Sequence, residues 1–166
     1  MGICAYNEGN NIGKLLRNVL FEQKLSGDSE VLVVCSGCTD NTAEVVTSYA
    51  AKDTRIKPHF EKERSGKASA INYILAKARS DTILFVSADT LPRKDAFKRL
   101  TSKLQTPNVG IVSGNPVPTN STDSMIGRIV QLMWHFHGHV FEDLNDATLD
   151  TLCCSILAQV LQHHLC

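Results

Sequence analysis

The sequence predicts an α/β fold built on a Rossmann-like, doubly wound, mainly parallel sheet, followed by a helical C-terminal segment. Three observations predict it. Short apolar runs alternate with amphipathic helical patterns from residue 1 to about 112. The strongest runs, EVLVVC (Glu30–Cys35) and TILFV (Thr82–Val86), are continuously apolar, as strands buried on both faces must be. Polar residues collect just after these runs, at the carboxyl ends of strands where open parallel sheets hold ligands.

Residues 1–5 read as a clipped first strand. Ile12, Leu15, Leu16, Val19 and Leu20 recur at helical steps and predict a helix over about 10–24. Glu30–Cys35 is the second strand, after which Asp40 or Asn41 can cap a helix carrying Val45, Val46 and Tyr49 on one face. Residues 55–60 make a weaker strand, and Pro58 puts it at an edge, because proline donates nothing to a ladder. Ile71, Ile74, Leu75 and Ala78 mark a third helix, and Thr82–Val86 a buried strand. Pro92 opens a helix bearing Phe97, Leu100 and Leu104, and Val109–Val112 is a fifth strand. From about 123 the pattern is helical to the end, with a break near Asn145–Asp146. The organisation expected is an α/β domain over 1–120 with 121–166 as its helical extension.

The 166 residues allow one domain with its own core. Seventeen basic and seventeen acidic residues cancel, which argues against a broad nucleic-acid surface, since counterion release needs a dense basic face. No apolar run reaches the ~18–20 residues of a spanning helix. The opening MGICAYNE has neither a basic stretch nor a long apolar one, so no secretory signal is expected. Six scattered cysteines suggest reduced thiols rather than a disulfide framework, and with it a cytoplasmic setting.

The fold rule directs attention to Ala5–Glu8, Cys35–Asp40, Glu61–Lys67, Ser87–Thr90 and Ser113–Asn115. Asp89 closes the most apolar strand; it is placed either to hold Mg²⁺ or Mn²⁺ with substrate oxygens or to cap the turn before Pro92. Arg64-Ser65-Gly66-Lys67 precedes the third helix, where a glycine, two cations and a helix N-terminus suit an anion; a solvated charged loop is the rival reading. Neither a P-loop nor a GxGxxG turn is present. Cys35-Ser36-Gly37-Cys38 is a C-x-x-C at a strand-to-helix turn, which admits a thiol–disulfide module. Zinc would need two more ligands. His135 and His139 share a helical face while His137 points elsewhere, so the three do not readily meet one metal.

Four segments in order resemble family 2 glycosyltransferases of the GT-A fold. Cys4-Ala5-Tyr6-Asn7-Glu8 is similar to the family's P-A-Y-N-E, and VVCSGCTDNTAEVV to its VVDDGSTDNT segment. SGKASAIN is similar to G-K-A-x-A-x-N, and FVSADTLP to the D-x-D segment. The resemblance implies a metal-dependent, inverting transfer of a sugar from a nucleotide-diphosphate donor to an unknown acceptor, glycan or lipid-linked. It implies that Ala5, Tyr6 and Glu8 line the base and ribose, with Cys35 and Ser36 standing where the family has an acidic pair. Lys67 would meet the ribose or diphosphate, with Asn72 supporting that loop, and Arg64 joins it as a substrate-binding candidate from the charge of the same loop. Ser87 and Asp89 occupy the ends of D-x-D, and Asp89 would be the metal ligand.

Glu142-Asp143 is the acidic pair available as catalytic base, although a solvated helix end explains it as well. The tail LDTLCCSILAQVLQHHLC matches no family segment. Read as a helix, its apolar face (Leu149, Leu152, Cys153, Ile156, Val160) has three destinations: the sheet, a second copy of the chain, or a membrane surface. A truncated or altered reading frame accounts for it equally. The rival functional expectation is therefore a catalytically impaired nucleotide-binding remnant that self-associates.

Overall fold

The computed structural model describes residues 1–143 apart from 24, 26, 108, 115, 116 and 120, together with 156–160; side chains are described as far as residue 136. Four strands run parallel: β1 (Gly2–Ala5), β2 (Val31–Ser36), β3 (Ile56–Glu61) and β4 (Thr82–Ser87). β1 pairs with β2 on one side and β4 on the other, and β3 lies outside β2. Pro58 therefore sits on an edge strand, as its missing N–H requires.

The continuous apolar runs arise because both faces are covered. Successive side chains on a strand point to opposite faces. Ile3, Ala5, Val31, Val33, Cys35, Leu84 and Val86 pack with one set of helices. That set comprises α1 (Gly9–Arg17), through Ile12, Leu15 and Leu16; α2 (Thr42–Ala50), through Val46; and α4 (Ala96–Leu104), through Phe97, Leu100 and Leu104. The alternate residues Leu32, Val34 and Ile83 meet Ala70 and Ile74 of α3 (Gly66–Lys77) on the other face. Each side chain of this size that is fully withdrawn from water contributes ~1.5–3 kcal/mol, so the pattern itself fixes which face each strand presents.

Three local expectations need correction. The helix expected over 10–24 is α-helical only to Arg17 and continues as a π-helical turn over Asn18–Glu22. The helix expected to open at Pro92 begins at Ala96. Buried amides explain the delay: Asn18 Nδ2 donates to Pro92 O at 3.1 Å, Gln23 Nε2 donates to Arg93 O at 2.9 Å, and Gln23 Oε1 accepts from Phe97 N at 3.3 Å. These bonds hold the chain after Pro92 away from helical geometry, and Asp95 enters α4 with a left-handed φ of 61°.

The third correction concerns the C-terminus, where the helical pattern does not run to the end. Ile156–Val160 is a strand, β6, antiparallel to β4 from Thr82↔Val160 to Val86↔Ile156. It also pairs with β5 (Ile111–Ser113), giving the order β3-β2-β1-β4-β6-β5. A five-residue apolar run fits either period, and the open edge of β4 decides for the strand. Leu149, Leu152 and Cys153 lie outside the described residues.

Gly114–Ser155 forms a separate compact unit. Within it, α5 (Met125–Asp143) starts after a turn in which Ser124 Oγ accepts from Gly127 N at 3.0 Å. No helix among the described residues is long and apolar enough to cross a membrane.

Candidate functional site

Strand order reverses at β1: the chain moves outward through β2 and β3, then returns to place β4 on the other side. Loops leaving β1 and β4 must diverge there and leave a crevice. It contains a cavity of about 200 Å³. β1 and the loop after it supply Cys4, Ala5, Tyr6 and Glu8, and the end of β2 supplies Ser36. The start of α3 and the loop before it contribute Arg64, Gly66 and Lys67, and the end of β4 and the turn after it Ser87 and Asp89. Residues from four distant segments thus face one space.

Direct contacts tie them together. Lys67 Nζ donates to Ser87 Oγ at 3.3 Å, which sets the ammonium group beside the strand end that carries Asp89. The Arg64 guanidinium carbon lies 4.1 Å from the centre of the Tyr6 ring, a cation–π contact. Ser36 Oγ accepts from Ser65 N at 3.0 Å and anchors the loop that leads into α3. Asp89 is exposed, and its Oδ1 accepts from Thr90 Oγ1 at 3.4 Å, a bond within the turn that leaves the carboxylate facing the cavity.

Two expected residues stand elsewhere. Cys35 is 2% exposed, packs into the core on the α1 face and does not line the cavity, because strand alternation sends it opposite to Ser36. Asn72 is exposed on α3 and does not line the cavity either.

Burial, reinforced by neighbouring Cys38, pushes the Cys35 thiol up to about 12. Thiol–disulfide exchange needs an accessible thiolate near neutral pH, so this environment opposes a redox role for the C-x-x-C. Cys38 Sγ instead donates to Ala5 O at 3.6 Å. Cys4, on the cavity wall, is also raised, chiefly by burial, with Lys67 acting in the opposite sense.

His135 meets Phe136 edge-on at 6.3 Å between ring centres. The side chains of His137, His139, Glu142 and Asp143 lie outside the described residues. Among the described residues no group of three His, Cys, Asp or Glu side chains stands ready for a metal. An ion at Asp89 would therefore depend on oxygens from a substrate and water. A hard carboxylate beside a phosphate-sized, cation-lined space fits that arrangement.

Sequence reasoning missed the loop-to-loop contacts behind the cavity. Asn7, left-handed at φ 53°, accepts from Thr39 N at 2.8 Å and donates to Thr39 Oγ1 at 3.1 Å. Glu8 N donates to Thr42 Oγ1 at 2.8 Å, and Gly9 N to Asp40 Oδ2 at 2.9 Å. The only signal was the cluster T-D-N-T itself, which reads locally as a helix cap.

The profile of Glycosyl transferase family 2 matches residues 1–165. A poly-beta-1,6-N-acetyl-D-glucosamine synthase of Staphylococcus aureus is 31% identical over 131 residues, 76% of this chain and 30% of the relative. A dolichyl-phosphate beta-glucosyltransferase of Trichomonas vaginalis is 32% identical over 109 residues, 62% of this chain and 32% of the relative.

Among solved structures, the mannosyltransferase PcManGT of Pyrobaculum calidifontis, in complex with GDP-Man and Mn²⁺, superposes with a TM-score of 0.63. It is 33% identical and covers 68% of this chain and 33% of its own. S. aureus TarS 1-349 with UDP-GlcNAc superposes with a TM-score of 0.58 at 26% identity, covering 74% of this chain and 37% of its own. The chain thus spans about a third of the length of these relatives.

Proposed function

Because the chain belongs to glycosyl transferase family 2, we propose that the cavity at the strand switch is the donor site of a nucleotide-sugar transferase, which moves the sugar to a separate acceptor with inversion. The observation that carries this reading is the convergence of Lys67 and Asp89 on one cavity that Tyr6 and Arg64 also line. An ammonium group and a helix N-terminus suit a diphosphate, and a ring face suits a base or ribose.

In this reading Tyr6, Ala5 and Glu8 hold the nucleoside end, with Arg64 lying over Tyr6. Lys67, released from Ser87, meets the diphosphate. Asp89 and the diphosphate oxygens would hold Mg²⁺ or Mn²⁺, and an ion so held supplies charge neutralisation on the departing nucleoside diphosphate. Cys35 takes no part in the donor contact, so of the pair that replaces the family's two acids only Ser36 reaches the rim, and it acts through the Ser65 loop. A catalytic base drawn from Glu142 or Asp143 would come from the segment after residue 120.

Titration calorimetry with UDP-, GDP- and dTDP-sugars in Mn²⁺ tests the reading. Binding of at least one donor, weakened by ~10–100-fold in Lys67→Met and lost in Asp89→Ala, is expected for charge-assisted contacts. Failure of all three to bind, or binding indifferent to Asp89→Ala, would sink it.

A further inference from the structure

We propose that Thr42, Asp40 and Asn7 are positioning residues for the donor site: Thr42 and Asp40 cap the start of α1, Asn7 ties the loop before α1 to Thr39, and together they hold Tyr6 and Glu8 toward the cavity without lining it themselves. This rests on the donor-site reading above.

The first amides of a helix have no partners within it and need outside acceptors. Glu8 precedes α1 and gives no capping side-chain bond; its carboxylate instead accepts from Asn11 Nδ2 at 2.9 Å. The acceptors come from the first residue of α2 and the loop just before it. Thr42 Oγ1 takes the Glu8 amide across 34 residues of chain, and Asp40 Oδ2 takes the Gly9 amide across 31.

Both oxygens of Asp40 are engaged, since Oδ1 accepts from Thr42 N at 3.0 Å and from the Thr42 hydroxyl. The hydroxyl therefore donates to Asp40 while accepting from Glu8, and Thr42 is 0% exposed, so water has no access to replace it. Asn7 completes the brace. A left-handed non-glycine residue costs ~1–2 kcal/mol, which its two bonds to Thr39 offset.

The fit is close: a Cβ on Gly9 would run into Asn41 Oδ1. Tyr6 and Glu8 flank Asn7, and both line the cavity while Asn7, Asp40 and Thr42 do not. Rotation of the Asn7 backbone out of the left-handed region would swing Tyr6 from beneath Arg64 and turn Glu8 away.

The test uses the 166-residue chain with UDP, GDP and dTDP, each in Mn²⁺, as probes. Thr42→Val keeps the shape and removes the hydroxyl; Thr42→Ser restores it. Thr42→Val should weaken whichever nucleotide the wild type binds by about tenfold, with Thr42→Ser within about twofold of wild type. In the free protein the Glu8 and Gly9 amides should exchange faster in Thr42→Val while the sheet amides do not. Asn7→Gly, which accepts the same backbone without strain, serves if Thr42→Val fails to fold, and should weaken binding similarly.

Equal affinity in wild type and Thr42→Val, unchanged exchange at Glu8 and Gly9, or a Thr42→Ser variant as weak as Thr42→Val would overturn the proposal. A wild type that binds none of the three nucleotides would overturn the donor-site reading, and the positioning role with it.

Discussion

Gly37 offers a sharp test of how the candidate site is assembled. It has a φ of 60°, and a Cβ there would lie 2.8 Å from Glu63 C and 2.9 Å from Arg64 Cα, with the Arg64 amide nitrogen closer still. These are backbone atoms, which cannot swing aside as a side-chain tip can. Gly66 is also left-handed, at 86°, but a Cβ there meets nothing within 4 Å. The two glycines therefore separate conformational strain from steric exclusion.

The left-handed region costs an alanine ~1–2 kcal/mol, and the stiffer unfolded chain returns ~0.4–1 kcal/mol, so Gly66→Ala should lose about 0.5–1 kcal/mol. Gly37→Ala adds an overpacking cost of ~1–3 kcal/mol, for a total of about 2–4 kcal/mol. In a domain of this size each kcal/mol moves Tm by ~2–4 °C. Thermal unfolding followed by circular dichroism should show a drop of roughly 5–15 °C for Gly37→Ala and roughly 1–4 °C for Gly66→Ala. Donor affinity should fall in Gly37→Ala as well, because the displaced Glu63–Arg64 backbone takes Arg64 off Tyr6. Matching melting curves for the two variants would refute the close packing of these loops.

The remaining predictions concern the buried polar and titrating groups. Gln23→Leu strips partners from Arg93 O and Phe97 N and should destabilise by about 2–3 kcal/mol in urea titrations; a change under 0.5 kcal/mol would mean the amide does not hold α4. The Cys35 thiol, raised by burial from 9.0 to about 12, is protonated in the folded state where the unfolded chain has lost its proton. Its contribution is therefore complete below pH 9 and lost as pH rises toward 12, and Cys35→Ala should flatten that alkaline decline in stability. Asp40 is shifted the other way, held below 3.8 chiefly by the Thr42 hydroxyl and then by the amides of Gly9 and Thr42. Its contribution is present above that pH and lost on further acidification, so Thr42→Val should show a shallower acid transition, read by the same unfolding assay.

The α/β class was legible because it depends on one-dimensional quantities. Continuous runs such as VLVVCS and TILFVS declare two-sided burial, and the 3- and 4-residue spacing of Ile12, Leu15 and Leu16 declares a helix face. The positions of Tyr6, Arg64, Lys67 and Asp89 at one rim were legible too, since parallel strands send all their carboxyl ends the same way.

What sequence could not settle depends on the partner an atom meets. Strand parity buries Cys35 and turns Ser36 outward, a one-residue distinction that motif matching overlooks. Ile156–Val160 is an equally good helix or strand until the free edge of β4 accepts it. The brace from Asp40 and Thr42 to Gly9 and Glu8 joins groups more than thirty residues apart. Periodicity records which side of its own segment a residue occupies. Which donor meets which acceptor is decided only when the segments pack, because a hydrogen bond has a range of ~3 Å and the chain between its ends carries no record of it.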